Sequence, residues 1–255
     1  GDPFMLIEGM IIAGVAVGAT EGYVYIRSEY PDAIAAMKAA CDVMREAGWL
    51  GASVGGSGKT FNLHVRRGAG AYICGEESSM LESLEGKRGL VRAKPPIPAL
   101  KGLFGAPTVV NNVLTLASVP LILAKGFSFY KDLGMGRSRG TLAFQLAGNI
   151  KQGGLVEKGF GVTIRELIEG FGGGTATGRP FRTAQIGGPL GAYISEDMLD
   201  LPMDYETLAG AGAMVGHGGI VVFDDTVDMA QMARFAFDFC AIESCGKCTP
   251  CRVGA

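Results

Sequence analysis

The chain has 255 residues, 48% of them hydrophobic, which is enough for one or two cored domains with room for a small third. A formal charge of −2 with no basic stripe argues against a nucleic-acid binder, whose affinity comes largely from clustered Lys and Arg facing phosphates. Six cysteines without a signal-peptide pattern argue for a reducing, cytoplasmic setting rather than a disulfide framework. Glycine, at 41 residues, has about twice its usual ~7% share, so many backbone positions need positive φ or close approach to another group.

Asp2-Pro3 reads as the N-cap and first position of a helix over Phe4–Val17, ended by the turn Gly18–Gly22. Its apolar run Gly9–Ala19 has about half of the ~20 residues needed to cross a bilayer, so a buried helix is expected. Tyr23–Arg27 predicts a strand. Pro31 opens a second helix, in which Ile34, Met37, Cys41 and Met44 recur at helical spacing up to Gly48, and Phe61, Leu63 and Val65 then alternate as a strand. Strand, helix, strand implies a right-handed crossover and a parallel sheet, with ligands at the carboxyl ends of the strands.

Ser53–Thr60, SVGGSGKT, resembles a nucleotide-triphosphate P-loop, but Ser53 stands where glycine is required and a strand follows where a helix should. A glycine-rich surface loop is the better reading. The segment Arg67–Ser79 leaves the second strand and enters a helix over Ser78–Leu84, and its small residues, Gly68, Gly70 and Gly75 among them, let a ligand approach the backbone. It is not an ordinary Rossmann fingerprint, because Ile73 occupies the place of the last glycine. Spacing alone leaves open whether Glu76 and Glu77 serve a site or only complement the helix N-terminus. Lys94-Pro95-Pro96-Ile97-Pro98 is stiff and extended, with Lys94 a candidate anion contact, and Asn111 or Asn112 could cap the helix that follows. His64 and His217 lack the partners of a nucleophile site and read as structural.

A break is expected over Gly134–Gly140, followed by strands at Thr141–Gly148, Phe181–Ile186 and Gly219–Phe223 and a helix over Val162–Phe171, together a small mixed domain. From Thr226 the residues Met229, Met232, Phe235 and Phe239 follow helical spacing and lead into Glu243-Ser244-Cys245-Gly246-Lys247-Cys248-Thr249-Pro250-Cys251-Arg252. Three thiols at successive two-residue spacing favour an iron–sulfur cluster over zinc, with Gly246 and Pro250 supplying turns and Lys247 and Arg252 offsetting negative charge. Cys240, among phenylalanines, is expected in a core. A cubane needs a fourth ligand and none follows Cys251, and the chain opens without a methionine, so it is read as a fragment lacking both ends.

Taken together, Leu6–Gly9, Gly70–Glu77, Lys94–Pro96, Pro107–Asn112 and Glu243–Arg252 resemble the NADH-binding flavoprotein subunit shared by respiratory complex I, NAD-reducing hydrogenases and soluble NAD-dependent formate dehydrogenases. Gly134–Gly140, Phe144–Asn149 and Gly187–Tyr193 look most like the formate dehydrogenase beta subunit. The resemblance implies an α/β fold: a Rossmann-like parallel-sheet FMN/NADH domain over 1–133, a β-grasp-like domain over 140–224, and the start of a helical 4Fe-4S domain over 226–255. It implies FMN contacts from Tyr72, Gly75, Glu76, Val110, Asn111, Asn112 and Thr115 beside Gly68 and Gly70, NAD(H) contacts at Glu77 and Lys94, and chemistry at Glu76 and Glu77. Cys245, Cys248 and Cys251 would hold the 4Fe-4S cluster, with the fourth cysteine beyond Cys251 and the glycine-rich FMN loop before Gly1. Family members usually carry an aromatic at the position of Ile97, a departure that puts one adenine contact in doubt. The implied partners are a small 2Fe-2S subunit and, in a formate dehydrogenase, a molybdenum or tungsten subunit, with no nucleic acid and no membrane span.

Overall fold

The computed structural model describes residues 2–254. They form two compact units, one made of the described residues up to Ala124 with those from Cys240 onward, the other Lys125–Phe239.

In the first unit, helix α1 (Pro3–Val17) starts where the Asp2 carboxylate accepts the Phe4 and Met5 N–H groups at 2.9 and 3.3 Å, with Pro3 in the first turn, and stops at Gly18 in the left-handed region. It buries Ile7 and Ile11. Strand β1 (Glu21–Ile26), helix α2 (Pro31–Glu46) and strand β2 (Asn62–Arg67) follow. The two strands pair in parallel, Glu21 opposite Asn62 through Ile26 opposite Arg67, as the strand–helix–strand order requires. The core gathers Ile7, Val24, Met37, Cys41, Phe61 and Leu63. Val54–Gly56 is a single short turn, Lys59 is exposed, and the chain runs on into β2 rather than into a helix, which removes the P-loop reading.

Two further helices complete this part, α3 (Glu77–Leu84) and α4 (Val113–Lys125). α1 crosses α4 at Gly9, where a Cβ would lie 1.9 Å from the Leu116 carbonyl oxygen. Only glycine lets the two backbones approach so closely.

The second unit begins with α5 (Phe127–Lys131) and the hairpin β3 (Gly134–Met135) with β4 (Ser138–Arg139), so the segment expected to be a break is itself a turn between paired residues. Strands β5 (Thr141–Gly148), β6 (Gly154–Gly159), β7 (Phe181–Ile186) and β8 (Ala192–Ile194), helix α6 (Tyr205–Gly210) and strand β9 (Gly219–Asp224) then build a five-stranded sheet of order β6-β5-β9-β7-β8. Only β5 and β9 are parallel, which gives the mixed sheet expected. Helical turns over Glu166–Phe171 close its core of Phe144, Ile164, Leu167, Ile168, Ile186 and Val222.

Helix α7 (Met229–Glu243) leads to the cysteines and α8 (Thr249–Gly254) carries the last of them. The expectation that Cys240 is a core residue is corrected here. α7 buries no residue, Phe235 and Phe237 are 61% and 60% exposed, and Cys240 is half-buried. No described helix is long and apolar enough to cross a membrane.

Candidate functional site

The geometry of the site starts at the carboxyl end of β2. Gly68 is buried under the Tyr25 ring, and a Cβ there would lie 2.7 Å from the Tyr25 hydroxyl oxygen, so close packing already demands a glycine. Gly70 has φ +92, Tyr72–Gly75 forms one tight turn, and the space above Gly75 is open. The chain then enters α3 with Glu76 as its N-cap. The Glu76 Oε2 accepts the Ser79 N–H at 2.9 Å and the Ser78 hydroxyl at 2.5 Å. One carboxylate oxygen thus caps the helix, and the other faces away toward Lys94.

Lys94 Nζ donates to Glu76 Oε1 at 3.2 Å and to Glu77 Oε1 at 2.5 Å. Burial pushes the Glu76 carboxyl up, but Ser78, the Ser79 N–H and Lys94 outweigh it and hold the group below the ordinary carboxylate range. Glu77 first and Glu76 second hold the Lys94 ammonium above its ordinary value. At neutral pH this is a cation set between two carboxylates at the surface of the unit. The structure thus brings together three residues that lie 17 and 18 positions apart in the chain.

What fixes Lys94 is a network the sequence did not announce. The Arg92 backbone N–H donates to Ser78 Oγ at 2.9 Å, and its guanidinium reaches Glu82 Oε1 at 2.6 Å, Glu85 Oε1 at 2.8 Å and the Gly102 carbonyl at 3.0 Å. Glu85 is only 8% exposed at its side chain. Its Oε2 accepts Lys87, while its Oε1 accepts the Phe104 N–H, and these bonds with Arg92 pull its carboxyl down to about 2 against the cost of burial. The extended stretch through Pro95 and Pro96 is in this way tied to α3.

The remaining predicted residues form a second group. Val110 and Asn111 line an apolar cleft of about 680 Å³, together with Leu6, Phe61, Leu81 and Leu103. Asn112 Oδ1 accepts the Leu114 N–H at 2.8 Å and so caps α4, and Thr115 is exposed in the first turn of that helix. Tyr72, Gly75, Glu76, Asn112 and Thr115 do not line this cleft, and Ile97 is exposed.

The cysteine segment belongs to the same unit. Gly246 adopts φ +77, a turn that a Cβ would resist, between Cys245 and Cys248. The Cys245 sulfur accepts backbone N–H groups from Val91 and then Lys247, and these bonds draw its thiol below the ordinary value, with a smaller pull from Arg88. Lys247 Nζ donates to the Val91 carbonyl at 2.6 Å, and Glu243 Oε2 accepts the Tyr72 N–H at 3.0 Å. Cys248 and Cys251 are exposed, and Cys251 Sγ meets the Ser244 hydroxyl at 3.2 Å. Among the described residues no three metal-ligating side chains have converged. N–H donors aimed at sulfur, a glycine turn between thiols and nearby cations nevertheless fit a thiolate-bound cluster. Sequence reasoning passed over Val91, Arg88 and the tie from Glu243, because main-chain contacts leave no side-chain pattern.

Comparison with known proteins bears on the family. Residues 1–121 match the Nuo51 FMN-binding domain, and residues 231–255 match the NADH-ubiquinone oxidoreductase-F iron-sulfur binding region. The chain is 46% identical over 255 residues to the NADP-reducing hydrogenase subunit HndC of Solidesulfovibrio fructosivorans, and 42% identical over 252 residues to a subunit of the NADH-quinone oxidoreductase of Escherichia coli. These matches cover 100% and 99% of the chain but 52% and 57% of those relatives, so it spans little more than half of their length. A crystal structure of an NAD+-reducing [NiFe]-hydrogenase in the H2-reduced state superposes with a TM-score of 0.86 at 35% identity, covering 99% of this chain and 41% of that one.

Proposed function

The chain belongs to the family of flavoprotein subunits that carry the Nuo51 FMN-binding domain and the oxidoreductase-F iron–sulfur region, and from that premise we propose that it passes electrons between NAD(H), FMN and a 4Fe-4S cluster. The cofactors are those of the family. When bound, FMN exchanges two electrons as hydride with nicotinamide and single electrons with the cluster.

The observation that carries the reading is that one compact unit holds both the Glu76–Glu77–Lys94 cluster and the cysteine segment, the two being tied together through Tyr72 and Val91. Glu76, Asn111 and Asn112, with the exposed main chain of Gly70 and the open space at Gly75, offer the polar contacts that a flavin ring and its ribityl chain need. Tyr72, Val110 and Thr115 lie beside them in sequence, and Gly68 holds the loop's approach. Glu77 and Lys94 take the nucleotide, with the ammonium set to receive a phosphate or ribose oxygen. Glu76 and Glu77 shape the charge around the reacting ring. Cys245, Cys248 and Cys251 bind the cluster, where the Val91 and Lys247 N–H groups would favour the reduced state by stabilising negative charge on sulfur.

The parent enzyme is the finer question. Gly134–Gly140, Phe144–Asn149 and Gly187–Tyr193 support a soluble, cytoplasmic formate dehydrogenase with a 2Fe-2S subunit and a molybdenum or tungsten subunit. The relatives, subunits of a hydrogenase and of quinone oxidoreductases, support those two complexes about as well. Metal analysis of the purified complex separates them, molybdenum or tungsten pointing to formate and nickel to hydrogen.

The core reading is tested by visible and electron paramagnetic resonance spectra of the purified holoenzyme. Flavin bands and a cluster signal are expected; their joint absence overturns it. Cys248→Ser should abolish the cluster signal and leave NADH-to-dye activity largely intact, since dyes take electrons from flavin directly. Loss of both together would contradict separate flavin and cluster sites.

A further inference from the structure

Glu243 is not a thiol, and nothing so far gives it a part in electron transfer. Its place is nonetheless particular. It ends α7 two residues before Cys245, is half-buried, and its Oε2 accepts the backbone N–H of Tyr72 at 3.0 Å, across 171 positions of chain. Tyr72 opens the turn that leads directly into Glu76 and Glu77. A second tie lies on the other side of the cysteine turn, where Lys247 Nζ donates to the Val91 carbonyl at 2.6 Å, three residues before Lys94. The loop that carries Cys245 is therefore pinned at both ends to the two strands of chain that carry the flavin- and nucleotide-side residues.

The two pins differ in kind. Lys247 hangs from an exposed, flexible stem, so its hold is easily exchanged with water. Glu243 accepts a main-chain amide from a half-buried position, where water competes less for the bond. We infer that Glu243 is a positioning residue, which holds the cysteine loop against the Tyr72 turn so that the cluster stays within electron-transfer range of the flavin. The inference rests on the function proposed above. It says that what matters at position 243 is an acceptor oxygen at the end of a side chain of glutamate length, and that the negative charge is dispensable.

Three substitutions in the holoenzyme separate these properties. Glu243→Gln keeps the reach and an acceptor oxygen but removes the charge, Glu243→Asp keeps the charge but draws the acceptor back by one methylene, and Glu243→Ala removes both. The first readout is hydrogen–deuterium exchange over residues 70–77, which needs no turnover. Exchange at the Tyr72 amide should rise in the Ala and Asp variants and stay at the wild-type level in the Gln variant. The second is stopped-flow reduction by NADH. Flavin bleaching should keep its rate in all four proteins, while cluster reduction should slow by about tenfold or more in Ala and Asp, the scale that a small misplacement of reacting groups brings, and recover in Gln.

Gln behaving like Ala while Asp matches wild type would overturn the inference in favour of a charge effect. Equal exchange and equal cluster reduction in all four would overturn it outright. Either result leaves the proposed function standing if flavin and cluster spectra are present, whereas their absence from the wild-type protein removes the function itself. Should Glu243→Ala fail to accumulate, the Gln and Asp pair alone decides the matter.

Discussion

At the scale of single residues, charge is used here to hold backbone as much as to meet ligands. Glu76 caps α3 with one oxygen and receives Lys94 with the other, so a helix terminus and an ion pair share a side chain. Glu85 is the clearest case of charge kept inside. Its folded value of about 2 lies below the ordinary 4.5, so it binds a proton less readily when folded than when unfolded. The stability it contributes is then complete above about pH 4.5 and is lost as pH falls toward 2. The expected outcome is that Glu85→Gln lowers the denaturant midpoint at pH 7 and that the gap to wild type narrows steadily between those two pH values. A constant gap across that range would show that Lys87, Arg92 and the Phe104 N–H do not act through the ionised carboxylate. The glutamates of the motif were legible in the sequence as residues of interest, but their ion pair was not, because Lys94 reaches them from a stiff, proline-rich stretch 17 and 18 positions away.

At the scale of elements, the two periodicities of the chain carried most of the information. Burial alternates along β5, whereas β7 buries its last three residues in succession, and α2 buries Ile34, Met37 and Cys41 at helical spacing. β6 and β8 escaped notice for a physical reason. β6 runs along the sheet edge with Leu155 71% exposed, so it shows no clean alternation, and β8 is three residues long. α1 and α4 illustrate how little of a helix pair a sequence displays. Gly9 inside an apolar helix looks like a weakness, since alanine there would gain about 1 kcal/mol of intrinsic propensity. The Leu116 carbonyl reverses the sign, because a Cβ at 1.9 Å from backbone atoms cannot be relieved by a side-chain rotation. Overpacking of this kind costs about 1–3 kcal/mol, so Gly9→Ala should lower the thermal midpoint measured by circular dichroism. A rise in that midpoint would mean that α1 slides past α4 without loss.

At the scale of the molecule, the chain divides its hydrophobic residues between two cores, one around Phe61 and Leu63 and one around Phe144 and Ile164. The single tryptophan, Trp49, lies in the first of these units and reports on it alone. Truncating Ile164, which is fully buried, should cost about 2–5 kcal/mol. For Ile164→Ala we expect the midpoint followed by far-ultraviolet circular dichroism to fall while the one followed by Trp49 fluorescence stays in place. A parallel fall in both would show a single cooperative fold. The family, with FMN and NAD(H), was readable only through the resemblance of several motifs to known flavoprotein subunits, whereas the cysteine spacing by itself pointed to an iron–sulfur cluster. What held the cysteine loop in place was not readable, since it depends on contacts between stretches some 150 to 170 residues apart.

Val91 shows what that means for the tolerance of the site to substitution. It offers its N–H to Cys245 and its carbonyl to Lys247, and its own side chain takes part in neither bond. Position 91 can therefore drift freely among ordinary residues while the junction persists, and proline alone, by deleting the donor, would sever the tie to sulfur. The junction between the cysteine turn and the stretch that leads to Lys94 thus rests at this point on main chain, with no demand on the side chain.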